Sequence, residues 1–222
     1  MDRTLPKVII YGINHQAQQL KCFLEFEQQA EVCAFVVDAA YKKGDELLGL
    51  PVYEFENVEQ IFSPKEYQIL LSFGYRNMVK NREDKYFLCK EKGYQLFTYI
   101  SKDAIVYSVE IGEGSLIYPR CFLEPFTKIG KGVFVDAGVF IGHNTVVEDF
   151  CFFAPNATVC GDIHIESNCF LGANCTVANQ GVVRSRTLVA AGAVLTKEVD
   201  EGTICLAAKA ITTHQFFPED FI

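Results

Sequence analysis

The 222-residue sequence predicts two folds in succession: a small α/β domain over residues 1–100 and a parallel β-helix over residues 101–206, with a tail over residues 207–222. Strand-like and helix-like patterns alternate in the first part, whereas apolar residues recur at every sixth position in the second. Half of the residues are apolar, but no run approaches the roughly 18 consecutive apolar residues of a membrane-spanning helix. We therefore expect a globular protein without a transmembrane segment.

The α/β domain is predicted from buried strands that alternate with amphipathic helices. Strand patterns lie at residues 7–12, 31–38, 67–74 and 94–100. Helical spacing of apolar residues lies at 15–29 and 76–93. This alternation predicts a small parallel sheet of the doubly wound type. The charged residues Arg76, Lys80 and Arg82 in the second helix predict a solvated helix face or, alternatively, contacts to an anionic ligand.

The β-helix is predicted from a six-residue period. All sixteen positions counted in sixes from Ile105 to Leu195 are apolar, and no insertion breaks the count. Four residues after each of them lies a second column of mostly small or β-branched residues. A period of six fits neither an α-helix nor a simple strand, and it is typical of hexapeptide repeats that wind into a triangular coil. Large aliphatic side chains would fill the axis of that coil, and each coil would stack on the next.

Charge and cysteine content narrow the function classes. The net charge of −8 argues against nucleic acid and anionic membranes as partners. Nine cysteines without a signal-peptide pattern indicate free thiols in the cytoplasm, and no C-x-x-C spacing supports a metal site. Four of the cysteines fall in the small column and are expected to be buried apolar residues rather than reactive thiols: Cys121, Cys151, Cys169 and Cys175.

The pattern [LIV]-[GAED]-x-x-[STAV]-x, over some ninety residues, resembles the left-handed β-helix of hexapeptide acyltransferases. With the α/β domain ahead of it, the whole chain resembles the sugar acyltransferases that include the bacterial sialic-acid O-acetyltransferase and the bacillosamine-pathway N-acetyltransferase. The resemblance implies a Rossmann-like first domain that binds a nucleotide-linked sugar. It also implies a homotrimer with acetyl-CoA in the groove between neighbouring β-helices. Outward apolar side chains that need cover support the trimer: Phe122, Phe134, Phe140, Phe152 and Phe170.

The segment FIGHNTVVEDF carries the candidate catalytic residue, His143. It is the only histidine among the corner positions of the repeat, and Gly161, one coil later, leaves space beside the imidazole. The segment resembles the family segment whose histidine is the base, which implies direct acyl transfer without an acyl-enzyme. Asn144 stands where the family usually has an acid, so we expect it to orient the ring. Asp136 and Asp162 are the alternative carboxylate partners.

The remaining site residues come from motif positions and from the resemblance. The first strand-to-helix turn and the ends of later strands predict contacts to a nucleotide-linked sugar from Gly12, Asn14, His15, Gln16, Asp38 and Gly74. The resemblance implies cofactor contacts from Phe152, Gly161, Ala173, Ala191 and Lys209. Phe152 departs from the family, because the bacillosamine-pathway enzyme has a histidine there. His164 and His214 are expected at the surface and in the tail.

These features predict N-acetyl transfer from acetyl-CoA to the amino group of a nucleotide-linked deoxyamino sugar, in surface-glycan biosynthesis. Sugar O-acetylation is an alternative that shares the same base and cosubstrate, and the sequence does not separate the two. The carboxylate of Asp136 favours the amino group. The absence of an acid after His143 and the change at Phe152 leave a third possibility, a nucleotide-sugar-binding protein without activity.

Overall fold

The computed structural model describes residues 4–75, 77–178 and 181–209. The first part is a five-stranded sheet in the order β3-β4-β2-β1-β5, in which only β3 is antiparallel to its neighbour. The strand bounds are β1 Lys7–Tyr11, β2 Glu31–Val37, β3 Glu46–Leu47, β4 Leu50–Glu54 and β5 Tyr67–Leu71. The strands predicted near β1, β2 and β5 are confirmed. The short hairpin of β3 and β4 was not predicted, because its strands are half exposed and give no apolar run.

In the described parts of the chain, three α-helices flank this sheet: α1 His15–Phe26, α2 Val58–Ile61 and α3 Lys80–Glu91. Two single turns of 3-10 helix, Ala39–Tyr41 and Phe55–Asn57, lie in the connections. Helix α3 begins later than the sequence predicts, because Asn77, Met78 and Val79 all adopt the left-handed conformation with φ between 48° and 60°. A left-handed turn cannot continue a right-handed helix, so this turn fixes where α3 begins.

The second part is a triangular β-helix of three parallel sheets, as the sequence predicts. The first sheet contains Tyr99–Ile100, Leu116–Ile117, Phe134–Val135, Phe152–Phe153, Phe170–Leu171, Leu188–Val189 and Ile204–Cys205. The second contains Ile105–Val106, Phe122–Leu123, Phe140–Ile141, Thr158–Val159, Thr176–Val177 and Val194–Leu195. The third contains Glu110–Ile111, Lys128–Ile129, Val146–Val147, Ile163–Ile165 and Gly181–Val183.

The apolar column fills the axis of the β-helix, with one correction at its start. Strand partners in the central coils are eighteen residues apart, as in Leu123 opposite Ile141. In the first coil, however, Leu123 lies opposite Val106, so the counted residue Ile105 faces outward and is 48% exposed. The four cysteines of the small column are buried in this interior, which confirms the packing role predicted for them.

The α/β domain covers the outer face of the first sheet. Phe134 and Phe152 are buried there, in one apolar cluster with Leu20 and Val79 of the α/β domain. These two side chains therefore need no partner copy to cover them, which corrects part of the support for a trimer. Arg82 is completely buried between the two parts, so the prediction of a solvated helix face at this residue is wrong.

The segment between the two parts belongs to both. Leu96 forms a bridge to Ile69 in β5, which extends the α/β sheet as the sequence predicts. Tyr99–Ile100 instead pairs with Leu116–Ile117 and is the first strand of the first sheet. The chain thus passes from one fold to the other without a linker.

Candidate active site

His143 lies at the corner between the second and third sheets of the β-helix. Gly142 ends the strand pairing there, and Asn144 turns the chain in the left-handed conformation at φ 54°. Asparagine tolerates this conformation better than most side chains. The backbone N–H of His143 donates a hydrogen bond to Glu124 Oε2, one coil earlier, at 2.8 Å. Two coils therefore fix the backbone of the histidine.

The imidazole packs against the next coil. A side chain at Gly161 would bring its Cβ to 2.6 Å from both Cε1 and Nε2 of His143, so the ring occupies the space that the sequence predicts above it. The side chain is 53% exposed. Its Nδ1 lies 3.2 Å from Asn144 Nδ2 and 3.9 Å from Asp162 Oδ2. Both predicted polar neighbours thus face the same ring nitrogen.

This arrangement leaves the second ring nitrogen open to a ligand. No group in the described parts of the chain hydrogen-bonds to Nε2 of His143. A carboxylate near Nδ1 favours the proton on that nitrogen, which makes Nε2 the acceptor. In that tautomer Nδ1 is a donor, so the amide oxygen of Asn144 rather than its Nδ2 would accept from the ring. The geometry suits a general base that acts through Nε2.

The turn between β1 and α1 meets the end of β5 at the carboxyl edge of the α/β sheet. Gly12 has φ 124°, and a Cβ there would collide with the Ser72 hydroxyl. Asn14 caps α1: its Oδ1 accepts from the N–H of Ala17 at 2.8 Å, and its Nδ2 donates to the Ser72 carbonyl at 2.8 Å. Both ends of the Asn14 side chain are therefore engaged within the protein, whereas the neighbouring His15 is exposed.

Gly74 follows β5 at the same edge. A Cβ on Gly74 would lie 3.6 Å from Gln16 Oε1 and 3.9 Å from the Phe152 ring, so these three predicted site residues are neighbours. The contact joins the predicted sugar-binding turn to the first sheet of the β-helix.

Asp38 lies beyond the end of β2, where it is held by two side chains. Both of its oxygens accept from Lys85 Nζ at 2.7 Å, and Oδ1 also accepts from the Tyr11 hydroxyl. Burial and this hydrogen bond raise the pKa of Tyr11, so the phenol stays protonated. Sequence reasoning missed Lys85, because helical spacing on α3 alone does not reveal a partner on β2.

Asp136 lies at the corner between the first and second sheets, whereas His143 occupies the following corner. The fold of one chain therefore does not bring the two predicted catalytic residues together. Among the described residues, the carboxylate of Asp136 accepts a hydrogen bond only from the N–H of Ala137, at 2.7 Å, and burial raises its pKa. Tyr118 lies on the same side: its buried hydroxyl faces Gln16 without an ordinary hydrogen bond to any described residue.

The predicted cofactor residues occupy separate places in one chain. Phe152 stacks between Phe134 and Phe170, at ring-centroid distances of 4.7 and 5.5 Å, and is buried. Ala173 and Ala191 lie at the corner between the first and second sheets, and Gly161 lies one corner further on. Lys209 is exposed at the end of the described chain. His164 is exposed and contacts Glu148, and His214 lies outside the described residues.

Within residues 4–75, 77–178 and 181–209, no group of three or more His, Cys, Asp or Glu side chains is placed to hold a metal ion. No helix in those ranges has the length and apolar character needed to cross a bilayer.

The repeat region matches two family models. Residues 144–179 match the bacterial transferase hexapeptide (six repeats), and residues 162–197 match the hexapeptide repeat of succinyl-transferase. No curated protein matches the chain in a sequence search.

Several solved structures share the architecture over nearly the whole chain. The acetyltransferase domain of PglB from Neisseria gonorrhoeae, in complex with acetyl coenzyme A, is 20% identical with a TM-score of 0.81, over 90% of this chain and 95% of that one. WeeI from Acinetobacter baumannii is 25% identical with a TM-score of 0.79, over 90% and 96%.

A third relative in structure is a histidine-to-asparagine mutant of perosamine N-acetyltransferase from Caulobacter crescentus, in complex with CoA and GDP-perosamine. It is 20% identical with a TM-score of 0.81, over 90% of this chain and 93% of that one. These matches confirm the predicted resemblance. The chain has the fold of these acetyltransferases, in which an α/β domain precedes a left-handed β-helix of hexapeptide repeats.

Proposed function

We propose that this chain is an acetyltransferase that moves the acetyl group of acetyl-CoA to the amino group of a nucleotide-linked deoxyamino sugar, in surface-glycan biosynthesis. The observation that carries the proposal is the environment of the His143 side chain. Its ring packs on Gly161, its Nδ1 faces Asn144 and Asp162, and its Nε2 has no hydrogen-bond partner among the described residues. The PglB and perosamine N-acetyltransferase structures, which contain acetyl-CoA or CoA, support the choice of cosubstrate.

In the proposed reaction the sugar amine attacks the thioester carbonyl while Nε2 of His143 accepts a proton from its nitrogen. The carbon–sulfur bond then breaks, the amide forms, and the imidazolium of His143 returns this proton to the sulfur, so that CoA leaves as a thiol. Asp162 stabilises the imidazolium that exists between these steps. The proposed reaction is a direct transfer without an acyl-enzyme, so it assigns no role to a cysteine, and the four thiols of the small column are buried in the β-helix interior.

The α/β domain supplies the proposed site for the nucleotide-linked sugar. Helix α1 begins at His15, directly after the Gly12 turn, and the N–H groups of a helix start favour phosphate oxygens. Gln16 and Gly74 meet beside this turn. Asp38 would act together with Lys85, because the two form an ion pair at the same sheet edge. GDP-perosamine in the Caulobacter structure is a ligand of this chemical class.

A second copy of the chain completes the proposed site. Asp136 and His143 occupy successive corners, so a groove between neighbouring copies in a homotrimer can bring one copy's Asp136 side towards another's His143. The predicted cofactor residues fall on the same two corners: Ala173 and Ala191 on one and Gly161 on the other. Acetyl-CoA would lie along that groove, with Lys209 near its phosphates.

Asp136 favours an amine over a hydroxyl as the acceptor. Its carboxylate is partly withdrawn from water and lacks a cationic partner among the described residues. An ammonium group on the incoming sugar would supply that partner, whereas a hydroxyl would only add a second neutral donor beside the N–H of Ala137. This contrast is the argument for N-acetylation over O-acetylation.

The test is thiol release from acetyl-CoA with UDP-, dTDP- and GDP-linked sugars, each with an amine or only hydroxyls, for the wild type and His143→Ala. Turnover restricted to amino sugars and lost in His143→Ala supports the proposal. Turnover on the hydroxyl sugars would replace it with O-acetylation. Unchanged turnover in the variant would remove His143 from the mechanism. If the protein neither binds nor turns over acetyl-CoA, the result favours a nucleotide-sugar-binding protein without activity.

A further inference from the structure

Arg82 is the largest fully buried side chain of the described structure, and its guanidinium is bonded to carbonyl oxygens rather than to an acid. Its Nε donates to Gly132 at 2.7 Å, and its Nη2 donates to Gly114 at 2.7 Å. Its Nη1 donates to Leu71 at 3.0 Å and to Phe73 at 3.1 Å. None of the carboxylates in the described chain lies within ion-pair distance of it. All three nitrogens of one side chain thus bind backbone.

The four carbonyls belong to both folds. Leu71 ends β5 and Phe73 directly precedes Gly74, so this pair lies on the segment that leads to the proposed sugar site. Gly114 and Gly132 are successive corners between the third and first sheets, eighteen residues and one coil apart. The planar fork of an arginine holds several acceptors in fixed directions. Arg82 therefore fixes the position of the Leu71–Phe73 segment along the β-helix axis, relative to two successive coils.

The segment that Arg82 holds carries further contacts to the first sheet. Tyr75 lies over Phe152 and Phe170, with ring-centroid distances of 5.3 and 5.1 Å. Beyond it, the left-handed turn of Asn77–Val79 returns the chain to α3, and its last residue, the buried Val79, has φ 60°. A buried β-branched residue in this conformation is strained and persists only where the surroundings over-determine it. Arg82 lies in the first turn of α3, three residues after Val79, and its guanidinium binds back to the carbonyls of Leu71 and Phe73.

A filling role alone does not account for an arginine here. Burying an unpaired charge is costly, and an apolar side chain of the same volume is often better for stability. Burial lowers the pKa of Arg82 to about 10, so the group still carries its charge at neutral pH. The guanidinium therefore carries a desolvation cost that an apolar side chain would avoid. Its four bonds to carbonyl oxygens indicate that its role is to hold the two folds in a fixed relative position.

We propose that Arg82 is a positioning residue for the nucleotide-linked sugar: it fixes the Leu71–Tyr75 segment, which includes Gly74, at the position along the β-helix axis where a sugar bound to the α/β domain reaches the β-helix. The inference rests on the proposed function. It assigns a role in sugar placement, and none in acetyl-CoA binding, to a residue that would act without touching the ligand.

The first test compares steady-state constants of Arg82→Met and Arg82→Lys with those of the wild type. Arg82→Met keeps most of the volume and removes the donors; Arg82→Lys keeps the charge but cannot span four carbonyls. The matched control is Arg184→Met, which removes an exposed arginine that pairs with Glu166 on the third sheet. We expect KM for the nucleotide sugar to rise about 10-fold in Arg82→Met, with KM for acetyl-CoA within about twofold and partial recovery in Arg82→Lys. Equal changes in both KM values, or none, would overturn the proposal.

The second test needs no turnover, so it separates failure of this inference from failure of the proposed function. Hydrogen exchange in Arg82→Lys is compared between peptides covering 70–79 and peptides covering the third-sheet strands at 128–129 and 146–147. Exchange that accelerates about 10-fold in 70–79 alone, together with weaker calorimetric binding of nucleoside diphosphates, supports positioning. Uniform acceleration with unchanged nucleotide binding would mean that Arg82 only stabilises the fold. If Arg82→Met does not fold, Arg82→Lys alone carries both tests.

Discussion

The imidazole of His143 occupies the space that a side chain on Gly161 would need, since a Cβ there would lie 2.6 Å from Cε1 and Nε2. Gly161→Ala should therefore displace the ring, and a displacement of about 1 Å can cost about 100-fold in rate. We expect kcat to fall by that order with an unchanged melting temperature. Gly44→Ala is the control, because nothing lies within 4 Å of its added Cβ. A rise in KM for acetyl-CoA at unchanged kcat would mean that Gly161 acts only as the predicted cofactor contact and that the ring stays in place.

Asp162 and Asn144 both face Nδ1 of His143, and we expect substitutions at the two positions to change the activity in opposite directions. Asp162→Asn removes the carboxylate that stabilises the imidazolium, and loss of such a supporting group costs about 10-fold in activity. Asn144→Asp adds a carboxylate at a left-handed position that aspartate tolerates, so kcat should be kept or raised. Rate profiles from pH 5 to pH 9 measure both. An unaffected Asp162→Asn enzyme would leave Asn144 as the only group that orients the ring.

Asp136 should lower the stability of the folded protein at neutral pH, although it is proposed to bind the amino sugar. Burial raises the pKa of Asp136 in the folded state above its ordinary value of 3.8. The folded state therefore favours the neutral carboxyl, and the stability that this group contributes is fully present below pH 3.8. That contribution is lost as the pH rises through the folded-state pKa. Asp136→Asn should therefore raise the melting temperature at pH 7 by about 1–3 °C, with a difference that disappears near pH 3.8.

The activity of Asp136→Asn gives the second half of this prediction. We expect a higher KM for the amino sugar, because the neutral amide no longer attracts an ammonium group, and an unchanged KM for acetyl-CoA. A variant that is more stable and equally active would show that Asp136 is not part of the sugar site.

Phe122 and Phe140 stack on the outer face of the second sheet at a centroid distance of 5.7 Å, on a side that the α/β domain does not cover. In the proposed trimer this face contributes to the contact between copies. Phe140→Ser should therefore shift the mass measured by light scattering towards the monomer and abolish turnover. Phe26→Ser, which changes a 90% exposed side chain on α1, is the control. A Phe140→Ser protein with unchanged mass would place the contact elsewhere.

The sequence predicted the β-helix in detail because a six-residue period follows directly from its geometry. Ile141 and Val147 fall in the interior as counted. The first and last coils depart from the period: a strand pair seventeen residues apart turns Ile105 outward, and Val189 pairs with Cys205, sixteen residues on. The separation of Asp136 and His143 was also readable: seven residues exceed one hexapeptide, so the two cannot share a corner.

Other parts of the site were beyond a reading of local pattern. Helical periodicity assigns charged residues to the solvent, and it therefore placed Arg82 on the outside, although its partners are carbonyls of both folds. The ion pair of Lys85 with Asp38 joins residues 47 positions apart and has no local signature. The burial of Phe152 beneath the α/β domain likewise depends on how the two folds meet, which neither pattern encodes.

The bond from Arg82 to the Gly132 carbonyl also has a consequence for synthesis of the chain. Domains fold as the ribosome releases them, from the amino terminus onward. The acceptor on Gly132 is made fifty residues after the guanidinium, and the rings of Phe134 and Phe152 that seal the same cluster come later still. A nascent chain released only as far as residue 100 therefore holds an uncovered cation and an open apolar surface. The α/β domain therefore reaches its final packing only after three coils of the β-helix have been made and Phe152 has joined the cluster.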